Sequence, residues 1–165
     1  AEARVRTGYD LRLRLIGPVG REEPRIIEMC RSLDPNSSWV ERLTLVSDEE
    51  LECSYAEASV LIHPAFDEGF GLPLLEAAVR GLPVLHSGLG PLSEVITRGS
   101  VGGPVAKLFV DPLIELIEQP EVYERRSQEV LADAIKHSRA DFDAAVQNLV
   151  REVGGSFPAA AIVPG

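Results

Sequence analysis

Asp67-Glu68-Gly69-Phe70-Gly71-Leu72-Pro73-Leu74-Leu75-Glu76 sets two glutamates on either side of a glycine-flanked turn. The run before it, Ser59-Val60-Leu61-Ile62-His63-Pro64, has the length and branching of a short buried parallel strand. Pro73 sits where a first-turn proline costs nothing, because its missing N–H would be unpaired there anyway. The stretch therefore reads as strand, turn, helix. Gly69 and Gly71 have no Cβ, so a ligand can approach the backbone closely, and the free N–H groups of a helix start favour an anion such as a diphosphate. Glu76 falls about one helical turn further in and can face the same cleft.

An ionised carboxylate accepts hydrogen bonds from two vicinal hydroxyls at once, a common way to hold a ribose or a pyranose. Two glutamates at this spacing suit a ligand that carries both. Taken alone, Glu68 would be an electrostatic helix cap and Glu76 a solvated helix residue; the glycines and the proline between them favour a site.

The spacing Glu-x7-Glu from Glu68 to Glu76, enclosing Gly-Phe-Gly-Leu-Pro and followed by Gly81-Leu82-Pro83-Val84, closely resembles the donor-site motif of retaining GT-B glycosyltransferases of the family 4 type. Leu13-Arg14-Leu15-Ile16-Gly17 is similar to the second strand of that family's C-terminal domain, and Val46-Ser47-Asp48-Glu49-Glu50-Leu51 to its third loop and helix. Leu108-Phe109-Val110-Asp111-Pro112 resembles its last strand and exit. The resemblance implies that Glu68 meets hydroxyls of the transferred sugar as the catalytic-site residue. It further implies that Glu76 holds the ribose, and that Gly69, Phe70, Gly71 and Leu72 meet the sugar and the diphosphate, which the helix start near Leu72 would stabilise as it departs. The donor would be a UDP-, GDP- or ADP-sugar, with no cofactor and no metal.

The resemblance also has gaps. The family's domain begins with a strand ending in Gly-Arg, followed by a Lys, and those cations grip the diphosphate. No such segment is present, and Ala1 to Thr7 is similar to the end of the helix that follows it. The family's strand order puts that first strand in the middle of the sheet, leaving unpaired backbone groups. Either a closed-up five-stranded sheet or strand exchange between chains is then expected, with a tendency to self-associate. The N-terminal acceptor domain is likewise not in this chain. Ala65 in place of a frequent Ser and Ser93 in place of a usual Pro are minor departures.

A chain of 165 residues with 45% hydrophobic content suits one domain and is too short for two. Apolar runs alternate with helical patterns, so the fold expected is α/β, a Rossmann-like parallel sheet with helices on both faces. Strands are predicted at Leu11 to Ile16, Leu43 to Val46, Val60 to His63, Val84 to His86 and Val105 to Val110. Helices are predicted at Glu22 to Leu33, Asp48 to Ser59, Leu72 to Arg80, Pro91 to Thr97, Pro112 to Glu118, Glu121 to His137 and Asp141 to Glu152. Residues 1–153 would form the donor-binding domain and 154–165 a linker or disordered tail, with Arg98 to Pro104 a mobile glycine-rich loop.

The net charge of −10 argues against nucleic acid and anionic bilayers as partners. No apolar run approaches the ~18 residues of a membrane span, and a soluble, cytoplasmic protein is expected. Cys30 and Cys53 lack ligand or disulfide patterning and read as buried or half-buried thiols. Gly17-Pro18-Val19-Gly20 lacks the third glycine of a dinucleotide loop and the Lys of a P-loop. Asp141-Phe142-Asp143 is better read as a helix cap than as a metal-binding D-x-D. His63 and His86 close successive strands; for each, a hydrogen-bonded structural role is the simpler reading. Glu94 caps or pairs a helix start, and Trp39 packs.

The reading reached is the nucleotide-sugar-binding domain of a retaining, hexosyltransferase-like enzyme, inactive by itself. The alternative is a non-catalytic nucleotide-sugar-binding or partner-binding module of the same fold. A GT-B epimerase or phosphorylase relative fits the motif less well.

Overall fold

The computed structural model describes residues 1–137. The helix predicted at Asp141 to Glu152, the Asp141-Phe142-Asp143 reading and the tail at 154–165 lie outside the described residues. In chain order the elements are α1 (Glu2–Thr7), β1 (Leu13–Ile16), α2 (Glu23–Leu33), β2 (Val40–Leu43), α3 (Asp48–Glu57), β3 (Leu61–His63), α4 (Leu72–Ala78), β4 (Val84–His86), α5 (Leu92–Val95), α6 (Ala106–Glu118) and α7 (Pro120–Ile135). The fold is α/β and Rossmann-like, as expected.

All strand pairing is parallel. Leu13 aligns with Val40 and Ile16 with Leu43, while Leu61 aligns with Val84 and His63 with His86. The expected closed-up five-stranded sheet does not form. β1–β2 and β3–β4 are two separate ladders, and none joins β1 to β3 among the described residues. The division falls where the family's strand order would put its first strand.

The fifth strand, predicted at Val105 to Val110, is instead the first half of α6, which continues through Pro112. Leu-Phe-Val suits either period, but Phe109, Leu113 and Leu116 recur at helical spacing and pack with Leu85 of β4. That burial outweighs the backbone bond that Pro112 cannot make to Leu108. The place beside β4 is taken by the glycine-rich segment predicted to be mobile. His86 N–H donates to Gly99 O, and Val101 N–H to His86 O, both at 2.9 Å. Gly99 is needed there: its φ is +93°, and a Cβ would stand 2.0 Å from Val84 O.

β2 ends where the sequence reading starts it. Asp34 accepts from the N–H groups of Trp39 and Val40 at 2.6 and 2.9 Å, which fixes the entry to the strand. Leu45 has φ +55° and cannot continue it. α3 then begins with a capping box, in which Ser47 Oγ accepts from Glu50 N–H and the Glu50 carboxylate accepts from Ser47 N–H.

The main core gathers Leu74, Ala77 and Ala78 of α4 with Leu82, Val84, Leu92, Val95, Ile96, Val130 and Ala134. β4 alternates, with Val84 in this cluster and Leu85 in the one with α6, so helices cover both faces. Truncating the fully buried Leu74 to Ala would cost about 2–5 kcal/mol. Cys30 is half-buried, but Cys53 is exposed, contrary to the expectation for it.

Candidate functional site

The motif turn leaves β3 at His63 and enters α4 at Gly71, whose φ of +85° lets the chain turn directly into the helix. A Cβ at Gly71 would meet the fully buried Leu92 at 2.9 Å. The turn is fastened from the next strand: Ser87 Oγ donates to Ala65 O at 2.7 Å and accepts from Leu89 N–H at 3.4 Å.

Glu68 sits in this turn with its carboxylate bound on both oxygens. His63 Nε2 lies 3.0 Å from Oε2, and Gly69 N–H donates to Oε1 at 3.1 Å. With the carboxylate as acceptor, His63 carries its proton on Nε2. The His63 bond, opposed by partial burial and aided by the Gly69 N–H, holds the Glu68 carboxyl below its usual range. Glu68 is therefore an ionised, oriented acceptor. The Gly69 amide, expected to meet the ligand, donates to Glu68 in this structure.

His86, aligned with His63 across the ladder, is fully buried. Its Nδ1 accepts from Gly88 N–H at 3.1 Å, and Nε2 has no hydrogen-bond partner among the described residues. Burial pushes its pKa down against the opposing Arg98 and Ile96 carbonyls, so it is a neutral ring that shapes the turn after β4.

Glu76 is held elsewhere. Tyr55 Oη donates to Glu76 Oε2 at 2.8 Å across the α3–α4 interface. The Arg80 guanidinium lies 4.9 Å from the Tyr55 ring centroid, bonds the Glu76 carbonyl and pairs with Glu52. Glu68 and Glu76 make no direct contact; each has its own partner. Phe70 packs edge-on to His137 with ring centroids 6.1 Å apart, and Phe70 and Leu72 are both exposed at the turn. α4 has seven residues and ends two short of its predicted Arg80, so its dipole is that of two turns only.

Behind β1, Arg42 Nε and Nη2 bond Glu23 at 3.1 and 2.8 Å, while Nη1 and Nη2 bond the carbonyls of Leu15, Gly17, Leu43 and Pro18. This clamp holds the Gly17 to Gly20 turn. Glu94 is exposed on α5, and Trp39 packs beneath the Arg4 guanidinium at 5.1 Å. The sequence reading passed over Tyr55 and gave His63 a structural role. The position of His63 five residues before Glu68, at a strand end, was the available signal for the second; for the first there was none, since α3 and α4 meet only in three dimensions. No helix among the described residues is long and apolar enough to cross a membrane.

Residues 1–119 match the family model described as glycosyl transferases group 1. O-antigen chain mannosyltransferase B of Escherichia coli is 47% identical over 67 residues, which cover 40% of this chain and 18% of that protein. A D-inositol 3-phosphate glycosyltransferase of Corynebacterium efficiens is 33% identical over 95 residues, 55% of this chain and 22% of its own length. The chain thus spans about a fifth of these relatives. Sucrose-phosphate synthase from Thermosynechococcus elongatus has the same fold, with a TM-score of 0.71 at 21% identity over 86% of this chain and 38% of that one. Since the family model takes in most of the chain, the protein belongs to the glycosyl transferases group 1 family.

Proposed function

We propose that residues 1–153 bind a nucleoside diphosphate sugar and serve as the donor half of a retaining hexosyltransferase. The single observation that carries this reading is the Glu68 carboxylate, held ionised between His63 Nε2 and Gly69 N–H at the end of β3. Such an acceptor can take two vicinal sugar hydroxyls through its remaining lone pairs. Glu76, on the helix that follows, accepts the ribose hydroxyls. The exposed Phe70 and Leu72 border the sugar and diphosphate. Two of the relatives reported above are named as a mannosyltransferase and a glycosyltransferase. In this reading the protein acts in the cytoplasm, where nucleotide sugars are substrates, and the acceptor is presented by a separate domain. Transfer needs both halves, because proximity and water exclusion arise between them.

The test separates the two glutamates. Glu68→Gln is expected to weaken a nucleotide sugar, and turnover, more than the free nucleoside diphosphate. Glu76→Ala should weaken both by about tenfold to a hundredfold, the loss of a charge-assisted hydrogen bond. Calorimetry with UDP, GDP, ADP and their sugars reads this directly. Equal losses from Glu68→Gln on both ligands would take Glu68 off the sugar, and binding without transfer by the natural full-length polypeptide would favour the non-catalytic module.

A further inference from the structure

We propose that Tyr55 is the positioning residue for ribose recognition, fixing the Glu76 carboxylate so that its free oxygen meets the ribose diol. The inference rests on the reading of Glu76 given above.

The geometry makes Tyr55 more than a tie between helices. Its hydroxyl donates to Oε2 of Glu76 at 2.8 Å, and no donor reaches Oε1 among the described residues. A carboxylate offers about four lone-pair sites, so one hydroxyl from Tyr55 leaves ample capacity for a diol while stopping rotation of the group. Arg80, four residues after Glu76, stands where a helical ion-pair partner would stand. Its hydrogen bonds to a carboxylate go instead to Glu52 on α3, so the Glu76 carboxylate accepts from a neutral donor, the Tyr55 hydroxyl. A carboxylate that already accepts from a neutral hydroxyl on one oxygen keeps the other open to further hydroxyls, such as those of a ribose diol.

The ring that presents the hydroxyl is fixed as well. Arg80 lies over one face of Tyr55, and its guanidinium also bonds the Glu76 carbonyl, so the ring, the cation and the helix backbone form one closed unit. Burial, and then the bond to Glu76, push the phenol well above its ordinary pKa, so Tyr55 stays a donor at every physiological pH.

The experiment compares the preferred nucleoside diphosphate with its 2′-deoxy and 3′-deoxy forms, by calorimetry on the natural full-length polypeptide, in wild type, Tyr55→Phe and Glu76→Gln. Phe keeps the ring beneath Arg80 and removes only the donor. Tyr55→Phe is expected to weaken the ribonucleotide by about threefold to tenfold and the deoxy forms hardly at all, so that discrimination shrinks. Equal weakening of ribo and deoxy ligands, or no change in either, overturns the inference, and a melting curve for each variant reports any general loss of structure. If Glu76→Gln abolishes discrimination and Tyr55→Phe does not, only the role of Tyr55 falls. If Glu76→Gln leaves discrimination intact, or wild type shows none, Glu76 is not the ribose ligand and both readings fall together.

Discussion

His63 Nε2 lies 3.0 Å from Glu68 Oε2, joining the last residue of β3 to the middle of the turn that follows it. A strand end is the least mobile origin available for a side chain in this turn, so the imidazole sets where the carboxylate points. His63→Ala is expected to weaken a nucleotide sugar by about threefold to tenfold while leaving the nucleoside diphosphate almost unaffected. His63→Gln, which keeps an N–H donor, should recover part of the loss. Binding of the two ligands by each variant checks this; uniform loss would assign His63 to folding alone.

The same pair makes stability depend on pH. The Glu68 carboxyl is depressed in the folded state, so its contribution is present above the unfolded value of about 4.3 and is lost as pH falls through the lower folded value. Other depressed carboxyls, among them Glu50 and Asp133, titrate in the same window. The comparison is therefore a difference: Glu68→Gln should lose less stability than wild type between about pH 5 and pH 3. Urea unfolding at several pH values in this range reads it, and parallel curves would break the link to Glu68.

Arg42 and Glu23 are 14% and 12% exposed, which makes this the most enclosed ion pair among the described residues. Removing the cation strands a carboxylate and four backbone carbonyls. Arg42→Ala is expected to cost about 3–5 kcal/mol in chemical denaturation. A cost below about 1 kcal/mol would mean that the clamp behaves as a surface pair.

Gly99 has both a left-handed φ and the Val84 carbonyl where a Cβ would go. Backbone cannot swing aside as a side-chain tip can, so Gly99→Ala should destabilise by more than the roughly 1–3 kcal/mol of backbone strain alone. It should also release the Ser100 bridge to His86. Faster amide exchange at His86 and Val101 is the specific sign, and unchanged exchange would contradict the tie.

The architecture was legible where spacing alone decides it. The turn between Glu68 and Glu76, the proline at the start of α4 and the start of α3 at Asp48 are local, and each stands where the sequence implied. Leu108-Phe109-Val110 was not legible, because three apolar residues fit a strand and a helix equally until Leu85 supplies a partner for one face. The bond between Tyr55 and Glu76 spans 21 positions and joins two helices, so no local pattern announces it. The glycines of Arg98 to Pro104 read as a mobile loop, because sequence alone does not show that the backbone at Gly99 and Val101 bonds to His86 of β4.

Ala77 and Ala78 are fully buried on α4, Leu74 with them, whereas Leu72 and Val79 are 60% and 58% exposed. A helix seated on methyl groups leaves no room for a larger residue on its inner side. Variation in this segment is therefore confined to its outward positions. Drift or engineering can reshape the surface at Leu72 while crowding holds the register that carries Glu76, which separates the evolvable part of the proposed site from the part that cannot change without losing the fold.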